Sequence, residues 1–573
     1  MADINGFVGV WGAPDAARAL QSLGSPRPAW HDGRVAFANT LVWEDKPTGL
    51  VIAGEWVPDG DLESLRRAAE VPPDAPPLAI VAALFRRQGM IAAQQLTGMF
   101  ALAVYEPMPG QLTLLRDASG ARTLYHTDTG GTVYFASRLR SLRRAPGVGG
   151  VHLPALRDYL TCAYVPGAQT LRVGVHELRP GSALTLPGGA SQTYWTPREV
   201  VHETDDVPLE VHAARLRPLV EAAVERALPP SNSLISAFLS GGVDSSLVTA
   251  MAAKMRGGQN VHTFAIHFGA NYANELHFSQ MVADHCHTRH QAIELPPRLI
   301  LRHLHETIAQ LDDPIGDPLT VPNWLLGAAA KAVVGEGGTV LNGEGGDPVF
   351  GGPKNGPMLL HELYTGDDET ESIAAYFRSY QKCYDDLPRL LTADVQAALR
   401  AAPPQSELLR PYLGPDAPMR AYLNRLMHIN VALKGADHIL TKVNNLTTAR
   451  GLVGRSPLFD PRIVEAGFAL PPSCKLSGSQ EKAVLKAAVA DLLPAPILTR
   501  PKSGMLVPVQ RWFVHDMKRY AQGMLLSRRS RIRPYINQNV VREWFRRGSS
   551  PYPREGVKLW LLLTLEIWLR VNE

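Results

Sequence analysis

Residues 234–248, LISAFLSGGVDSSLV, decide how the rest of this chain is read. An apolar strand runs straight into Ser240-Gly241-Gly242, and an apolar helix opens at once with Asp244-Ser245-Ser246. Two glycines let the backbone turn tightly and come close to a ligand, and a helix start offers unpaired N–H groups and the positive end of its dipole. The hydroxyls of Ser240, Ser245 and Ser246 can donate to phosphate oxygens. Asp244 would repel a bare phosphate and makes sense where Mg²⁺ bridges the two. The stretch therefore predicts a Mg-nucleotide site at a strand-to-helix turn. The alternative, an ordinary turn with Ser and Asp as helix caps, does not account for the whole word. No GxxxxGKS/T occurs anywhere, so this is not a Walker-type loop.

Outward from this stretch, helices alternate with short buried strands, as in VHTFAIHF (261–268) and GTVLNGEG (338–345). That alternation predicts a parallel sheet covered by helices, with ligand at the strands' carboxyl ends. From Leu387 onward helical patterns dominate. Toward the N-terminus, Gly6 to about Trp195 reads as short β-branched and aromatic runs between Gly/Pro/Asp turns: FVGVWG, GLVIAGEWV, GMFALAVYE, QLTLLRD and TVYFAS. A polar segment at 200–207 is the expected linker.

At 573 residues two or three domains are expected. A net charge of +4 does not call for nucleic acid, and the arginine clusters at 528–533 and 546–547 read as solvated faces. Cys162, Cys286, Cys383 and Cys474 form no CxxC pair, which argues against zinc and disulfide frameworks and for reduced cytosolic thiols. His285, Cys286, His287 and His290 do not share a helical face, so they are no metal set. The start MADINGFVGVWG has no apolar signal region, and the apolar run Leu559–Leu569 is about half a membrane span. A cytoplasmic protein without membrane attachment is expected, the terminal run forming a buried helix.

Ser-Gly-Gly-x-Asp-Ser resembles the pyrophosphate loop of the ATP-pyrophosphatase enzymes, which implies adenylation. The chain as a whole resembles the glutamine-dependent asparagine synthetases. The words, in order, are GMFALAVYE, LLRDASGARTLY, VYFAS and ELRPGSALTL followed by YW; then FLSGGVDSS, DDPIGDPLTVPNW, VLNGEGGDPVFGG, KVNNLTTARGLVGRSPLFD, EKAVLK, RPKSGM and LWLLLTLEIWLR. The resemblance implies a multi-domain α/β protein. Residues 1–200 would form a glutaminase-like αββα sandwich of the Ntn-hydrolase type. Residues 208–573 would form an ATP-pyrophosphatase α/β domain with a parallel sheet and extra helices.

The departures from that family are as informative as the matches. Glutamine hydrolysis there depends on a cysteine directly after the initiator methionine, and this chain has Ala2. A methyl group cannot replace a thiolate nucleophile. The glutamine-holding Asn-Gly-Glu appears as Ala53-Gly54-Glu55, and an aspartate for the glutamine amino group falls at Pro77. The N-terminal domain is thus expected to be vestigial and to supply no ammonia. Val453 and Asn444 stand where the family carries glutamate and aspartate, which removes negative charge expected near the acceptor side.

An enzyme that activates a carboxylate but lacks an ammonia source can take its amine from the substrate itself. Of the ring-closing branches of the superfamily, β-lactam synthetases and lasso peptide cyclases, the first has a tyrosine at the place of Glu344. The resemblance therefore points to a lasso peptide macrolactam synthetase, with a precursor (core) peptide as substrate. It also implies a leader-peptide protease and a leader-recognition protein as partners. Rival readings are an asparagine synthetase-like or β-lactam synthetase-like ligase acting on a small molecule, and a non-catalytic binding homologue.

Residue by residue, the resemblance places Ser240, Gly241, Gly242, Asp244, Ser245 and Ser246 on the pyrophosphate of ATP and makes Asp244 and Asp347 the Mg²⁺ ligands. Leu239, Ile266, Asn342 and Gly343 fall at adenosine. Lys502 matches the lysine that stabilises charge at the reacting centre, and Lys482 a second pyrophosphate contact. Glu344 would orient or deprotonate the amine.

Overall fold

The computed structural model describes residues 6–24, 27–60, 62–200, 207–352, 355–366, 368–477, 480–500, 505, 507–547 and 555–572. The chain divides into two compact units. The first comprises Met1–His152 and Gly167–Thr196, the second Leu153–Pro166 and Pro197–Glu573. This division differs from a single cut near residue 200, because the helix Leu153–Cys162 belongs with the second unit. Most of the 200–207 linker lies outside the described residues.

The first unit is built from β1 (Val8–Trp11), β2 (Trp30–His31), β3 (Val35–Ala38), β4 (Leu41–Asp45), β5 (Leu50–Val57), β6 (Met99–Glu106), β7 (Gln111–Arg116), β8 (Tyr125–Thr129), β9 (Thr132–Ala136), β10 (His176–Glu177), β11 (Ser182–Leu186) and β12 (Ala190–Thr193). They form two antiparallel sheets, β10-β8-β9-β1-β3-β2 and β12-β11-β7-β6-β5-β4. The near-continuous apolar runs in β5 and β6 follow from burial on both faces. Val51, Ala53, Ala101 and Ala103 pack toward Phe7, Phe37 and Phe135 of the other sheet. Their alternates Ile52, Phe100, Leu102 and Val104 pack toward Leu78, Val81 and Phe85 of the helix Pro77–Gln88. On the outer side of the first sheet, helix Ala16–Ser22 lies on β1 and β3 with Ala16 and Leu20 buried. The layers are helix, sheet, sheet, helix, the αββα sandwich of an Ntn-type glutaminase domain.

The second unit centres on β13 (Ile235–Phe238), β14 (Val261–His267), β15 (Arg289–Glu294), β16 (Thr339–Leu341) and β17 (Val453–Arg455), in the order β15-β14-β13-β16-β17 with every pair parallel. The order reverses between β13 and β16, which leaves a crevice at their carboxyl ends, where open α/β sheets bind ligands. Helix Val243–Arg256 follows β13 and is buried from Val243 through Ala253. The terminal helix Glu555–Asn572 is buried from Leu559 to Leu569. Its fully buried Glu566 accepts from Ser530 Oγ at 2.9 Å, Ile532 N at 3.0 Å and Arg570 Nε at 2.6 Å, which explains how a carboxylate sits inside an apolar run. Among the described residues no helix is long and apolar enough to cross a membrane.

Candidate active site

The crevice between β13 and β16 holds a cavity of about 330 Å³. One set of lining residues follows the strand ends: Ser240, Gly242, Asp244 and Ser245 after β13, and Asn342 through Gly345 with Asp347 after β16. Leu239 and Ile266, both buried, line it together with Phe238 and Phe264, an apolar surface that suits a purine ring. A second set comes from Leu319, Asn323 and Leu326 on or before the helix Thr320–Val334, and from Lys434, Ile439 and Val443.

In the turn after β13 the serines are organised by one another. Ser240 N donates to Ser245 Oγ at 3.2 Å, the two hydroxyls lie 3.0 Å apart, and Ser245 Oγ donates to the Gly242 carbonyl at 3.2 Å. Gly242 is the N-cap of helix Val243–Arg256, so the first N–H groups of that helix face the turn. The loop after β16 approaches closely: a Cβ on Gly343 would lie 2.3 Å from Ser245 N, and one on Gly346 would lie 2.1 Å from Asp244 Oδ1. Any side chain at either position would push the two loops apart.

Lys482 joins the carboxylates that the sequence assigns to the metal. Its Nζ lies 2.6 Å from Asp244 Oδ2 and 2.5 Å from Asp347 Oδ1. Burial works against the ammonium, but the two carboxylates outweigh it and raise its pKa above the ordinary lysine value. The Lys482 backbone is left-handed, with φ of +54°, a costly conformation for a residue with a Cβ, and it opens the short helix Ala483–Ala488. Because a single ammonium reaches both Asp244 and Asp347, their oxygens converge on one cation position. A hard oxygen-seeking ion fits that donor set. Among the described residues no group of three or more His, Cys, Asp or Glu forms a metal cluster, so the two carboxylates would share Mg²⁺ with phosphate and water oxygens.

The segment RPKSGM meets the turn through Arg500. Its Nη1 donates to the Gly241 carbonyl at 3.3 Å, Nη2 pairs with Glu275, and the guanidinium lies 3.9 Å from the centre of the Phe278 ring. Met505 lines the cavity, while Lys502 lies outside the described residues.

Several sequence expectations land elsewhere. Ser246 is fully buried in its helix and does not line the cavity. Gly241 shapes the turn without lining it. Lys482, expected as a pyrophosphate contact, is not a lining residue either and acts on the two aspartates. Val453, in β17, and the buried Asn444 also stay out of the lining, so their lost charges do not reshape the cavity wall directly. Lys434, Asn323 and Glu275 were not anticipated. The first sits in the π-helical run Asn430–Leu440, whose winding departs from the 3.6-residue period on which a sequence reading depends.

In the first unit, the glutamate of the Ala53-Gly54-Glu55 word makes internal contacts. Glu55 Oε1 accepts from Ser137 Oγ at 2.9 Å and from Phe7 N at 3.4 Å, and Arg122 Nε lies 3.8 Å from its other oxygen. Pro77 is the first residue of helix Pro77–Gln88, and Ala2 lies outside the described residues.

Comparison with known proteins agrees with this two-part architecture. Residues 30–195 match a glutamine amidotransferase domain and residues 215–570 match asparagine synthase. The chain is 24% identical over 522 residues to asparagine synthetase [glutamine-hydrolyzing] 1 of Bacillus subtilis, covering 86% of this chain and 80% of that one. It is 28% identical over 438 residues to asparagine synthetase [glutamine-hydrolyzing] 3 of the same organism, covering 71% and 67%. It is 26% identical over 500 residues to carboxyethyl-arginine beta-lactam-synthase of Streptomyces clavuligerus, covering 86% and 76%. With its sheet, phosphate-type turn and aspartate pair inside the matched region, the chain belongs to the asparagine synthase family.

Proposed function

We propose that this protein is an AMP-forming, ATP-dependent amide ligase that closes a macrolactam ring in a lasso peptide precursor. Two observations together support the reading: Ser240, Asp244, Ser245, Asn342, Gly343, Glu344 and Asp347 line one cavity, and the glutamine-holding word of the family reads Ala53-Gly54-Glu55 here, with alanine at position 2. An amide former without ammonia needs an amine from its substrate, and a peptide's own N-terminus supplies one.

An Asp or Glu side-chain carboxylate of the core peptide attacks the α-phosphorus of ATP. The new P–O bond forms as the α–β bridge breaks, and pyrophosphate leaves. The peptide amine then attacks the acyl carbon, C–N forms, the bond to AMP breaks, and the amine proton passes to water or a basic group such as Glu344. The free amine has a pKa of about 7.7 to 8.0, so a useful neutral fraction exists near neutrality and the demand on a base is small. The turn Ser240–Ser245 would hold the phosphates, Leu239 and Ile266 the adenosine, and Lys482 would keep Asp244 and Asp347 in register. Mg²⁺ held by those carboxylates would offset phosphate charge. Lys502 remains assigned to the reacting centre on the strength of RPKSGM. The apolar second wall would shield the acyl-adenylate from water, which would otherwise hydrolyse it. Holding both ends of the future ring together makes the second step intramolecular. A leader-peptide protease and a leader-recognition protein would deliver the free amine, as resemblance to lasso systems implies.

Similarity to asparagine synthetases and to a beta-lactam synthase supports a second reading, amide formation on a small-molecule carboxylate. One experiment separates the two. The protein is incubated with ATP, Mg²⁺ and a leaderless core peptide, and products are weighed by mass spectrometry. Loss of one water from the peptide with release of AMP and pyrophosphate is expected. ATP use with aspartate and ammonium only would return the protein to asparagine synthesis, and glutamine hydrolysis would overturn the vestigial role of the first unit.

A further inference from the structure

We infer that Lys434 is the specificity-determining cation that receives the substrate's carboxylate before adenylation. This deepens the carboxylate-activating reading above and rests on it. Asp244, Glu275, Glu344 and Asp347 line the cavity, and Lys434 is the one cationic side chain among the described lining residues. The reaction must bring a carboxylate up to a triphosphate in these acidic surroundings. Lys482 and Arg500, the other cations placed near the turn, do not line the cavity. Lys434 belongs to the second wall, among Leu319, Leu326, Ile439 and Val443.

That wall is built to hold its position. Lys434 lies in the π-helical run Asn430–Leu440, continuous with the helices Tyr422–Ile429 and Thr441–Thr448. Thr441 Oγ1 donates to the Ala436 carbonyl, five residues back, at 2.5 Å. A single carboxylate, Asp317, ties this run to the facing helix. Its Oδ1 accepts from Leu319 N at 2.9 Å, at the start of Thr320–Val334. Its Oδ2 lies 2.5 Å from Lys442 Nζ and 3.3 Å from His438 Nε2. His438, about one π-turn beyond Lys434, stacks on Tyr164 with ring centres 5.3 Å apart and planes at 10°. The tie therefore fixes both elements of the acyl-side wall, and with them the backbone from which Lys434 reaches the cavity. Its function would be to bind the carboxylate in the ground state and keep it beside the α-phosphorus.

The test uses peptide-dependent exchange of labelled pyrophosphate into ATP by the full chain, with the leaderless core peptide and with its Asp→Asn or Glu→Gln counterpart. For Lys434→Met, the peptide concentration giving half-maximal exchange should rise about 30-fold, with the ATP requirement changed less than about twofold. Lys434→Arg, which keeps the charge and tolerates the same wall, should recover most of the loss. Thermal melting of both variants identifies any folding defect, and the Arg variant decides the matter if the Met variant unfolds. Equal peptide requirements in wild type and folded variants, or parallel rises for peptide and ATP, would overturn the assignment alone. No peptide-dependent exchange by the wild type would overturn the assignment together with the reading beneath it.

Discussion

The two units treat the carboxylates that the sequence singles out in opposite ways. In the first, Glu55 of the Ala53-Gly54-Glu55 word accepts from Ser137 and the Phe7 backbone through one of its two oxygens. In the second, Asp244 and Asp347 are drawn together by Lys482 at the edge of a cavity that also holds the phosphate-type turn. Both units have buried apolar cores, so a well-formed core says nothing about whether a unit carries chemistry. What separates the units is whether polar side chains converge on space or on one another.

The largest expected effect breaks that contrast at its strongest point. Asp244→Ala should lower ATP-dependent product formation by about 10³-fold, and it leaves the buried Lys482 with Asp347 as its remaining carboxylate of the pair. Glu55→Ala, its counterpart in the first unit, should leave the same rate within about twofold, because the proposed reaction needs nothing from that site. Rates of peptide dehydration for the two variants side by side would check both; a comparable loss from Glu55→Ala would revive a catalytic part for the first unit.

Gly346→Ala is the next in size. Its added methyl would lie 2.1 Å from Asp244 Oδ1, inside contact distance of a carboxylate already held by Lys482, so the aspartate must move. A displacement of this kind should cost about 10²-fold in rate. The effect should be read in single-turnover adenylation, with melting temperature recorded to separate it from unfolding.

Acidification offers a third comparison. Burial lowers the pKa of His126 in the first unit, with His176 adding to it, and of His428 and His438 in the second, each to about 4. For His438, Asp317 pulls the other way without prevailing. Burial also opposes the Asp317 charge, but Lys442 outweighs it and, with His438, holds that carboxyl well below the usual range. The ion pair is therefore Asp317 with Lys442, and His438 stays neutral. A histidine depressed in the fold contributes stability that is complete above its unfolded value of about 6.5 and is lost as pH falls toward 4. Each of these residues represents about 3 kcal/mol over that window. The second unit, where burial also lowers His262, His290 and His305, should weaken more than the first. Native-state hydrogen exchange at pH 7 and pH 5, corrected for intrinsic rates, should show protection falling more in 430–448 than in 125–129, and His438→Gln should remove part of that difference.

What could be read in the sequence was whatever is written locally. LISAFLSGGVDSS encodes a strand, a turn and a helix start in contiguous residues, and NGEGGD repeats the logic at the neighbouring strand end, so the halves of the site were legible along with the sandwich and the parallel sheet. Distances across the fold were not. The word around Lys482 names a charge without naming Asp244 and Asp347, which lie opposite it. Ser246 shares the word with Ser245, yet the 100° step along a helix turns it into the core. Lys434 was missed because a π-helical run has no signature in a 3.6-residue period, and the tie that fixes its wall spans Asp317 to Lys442. Val453 and Asn444 were chosen for lost charge, and their neighbour Val443 is the residue that reaches the cavity.

The smallest effect sharpens the comparison most economically. Ala2→Cys restores the thiol that hydrolysis of glutamine would require, provided the initiator methionine is removed. If the first unit lacked only its nucleophile, this variant would release ammonia from glutamine. The residues at the family's glutamine-holding positions argue otherwise. Glu55 is committed to Ser137 and Phe7, and the position expected to hold an aspartate is Pro77, whose ring starts the helix Pro77–Gln88 and offers no acceptor for an amino group. A thiolate without those contacts can attack, but glutamine has no defined place beside it. Glutamate release should stay at the level of the Ala2 protein, and peptide dehydration should be unchanged. Robust hydrolysis in Ala2→Cys would show that the first unit holds glutamine as it stands and make the two units far more alike than their side chains indicate.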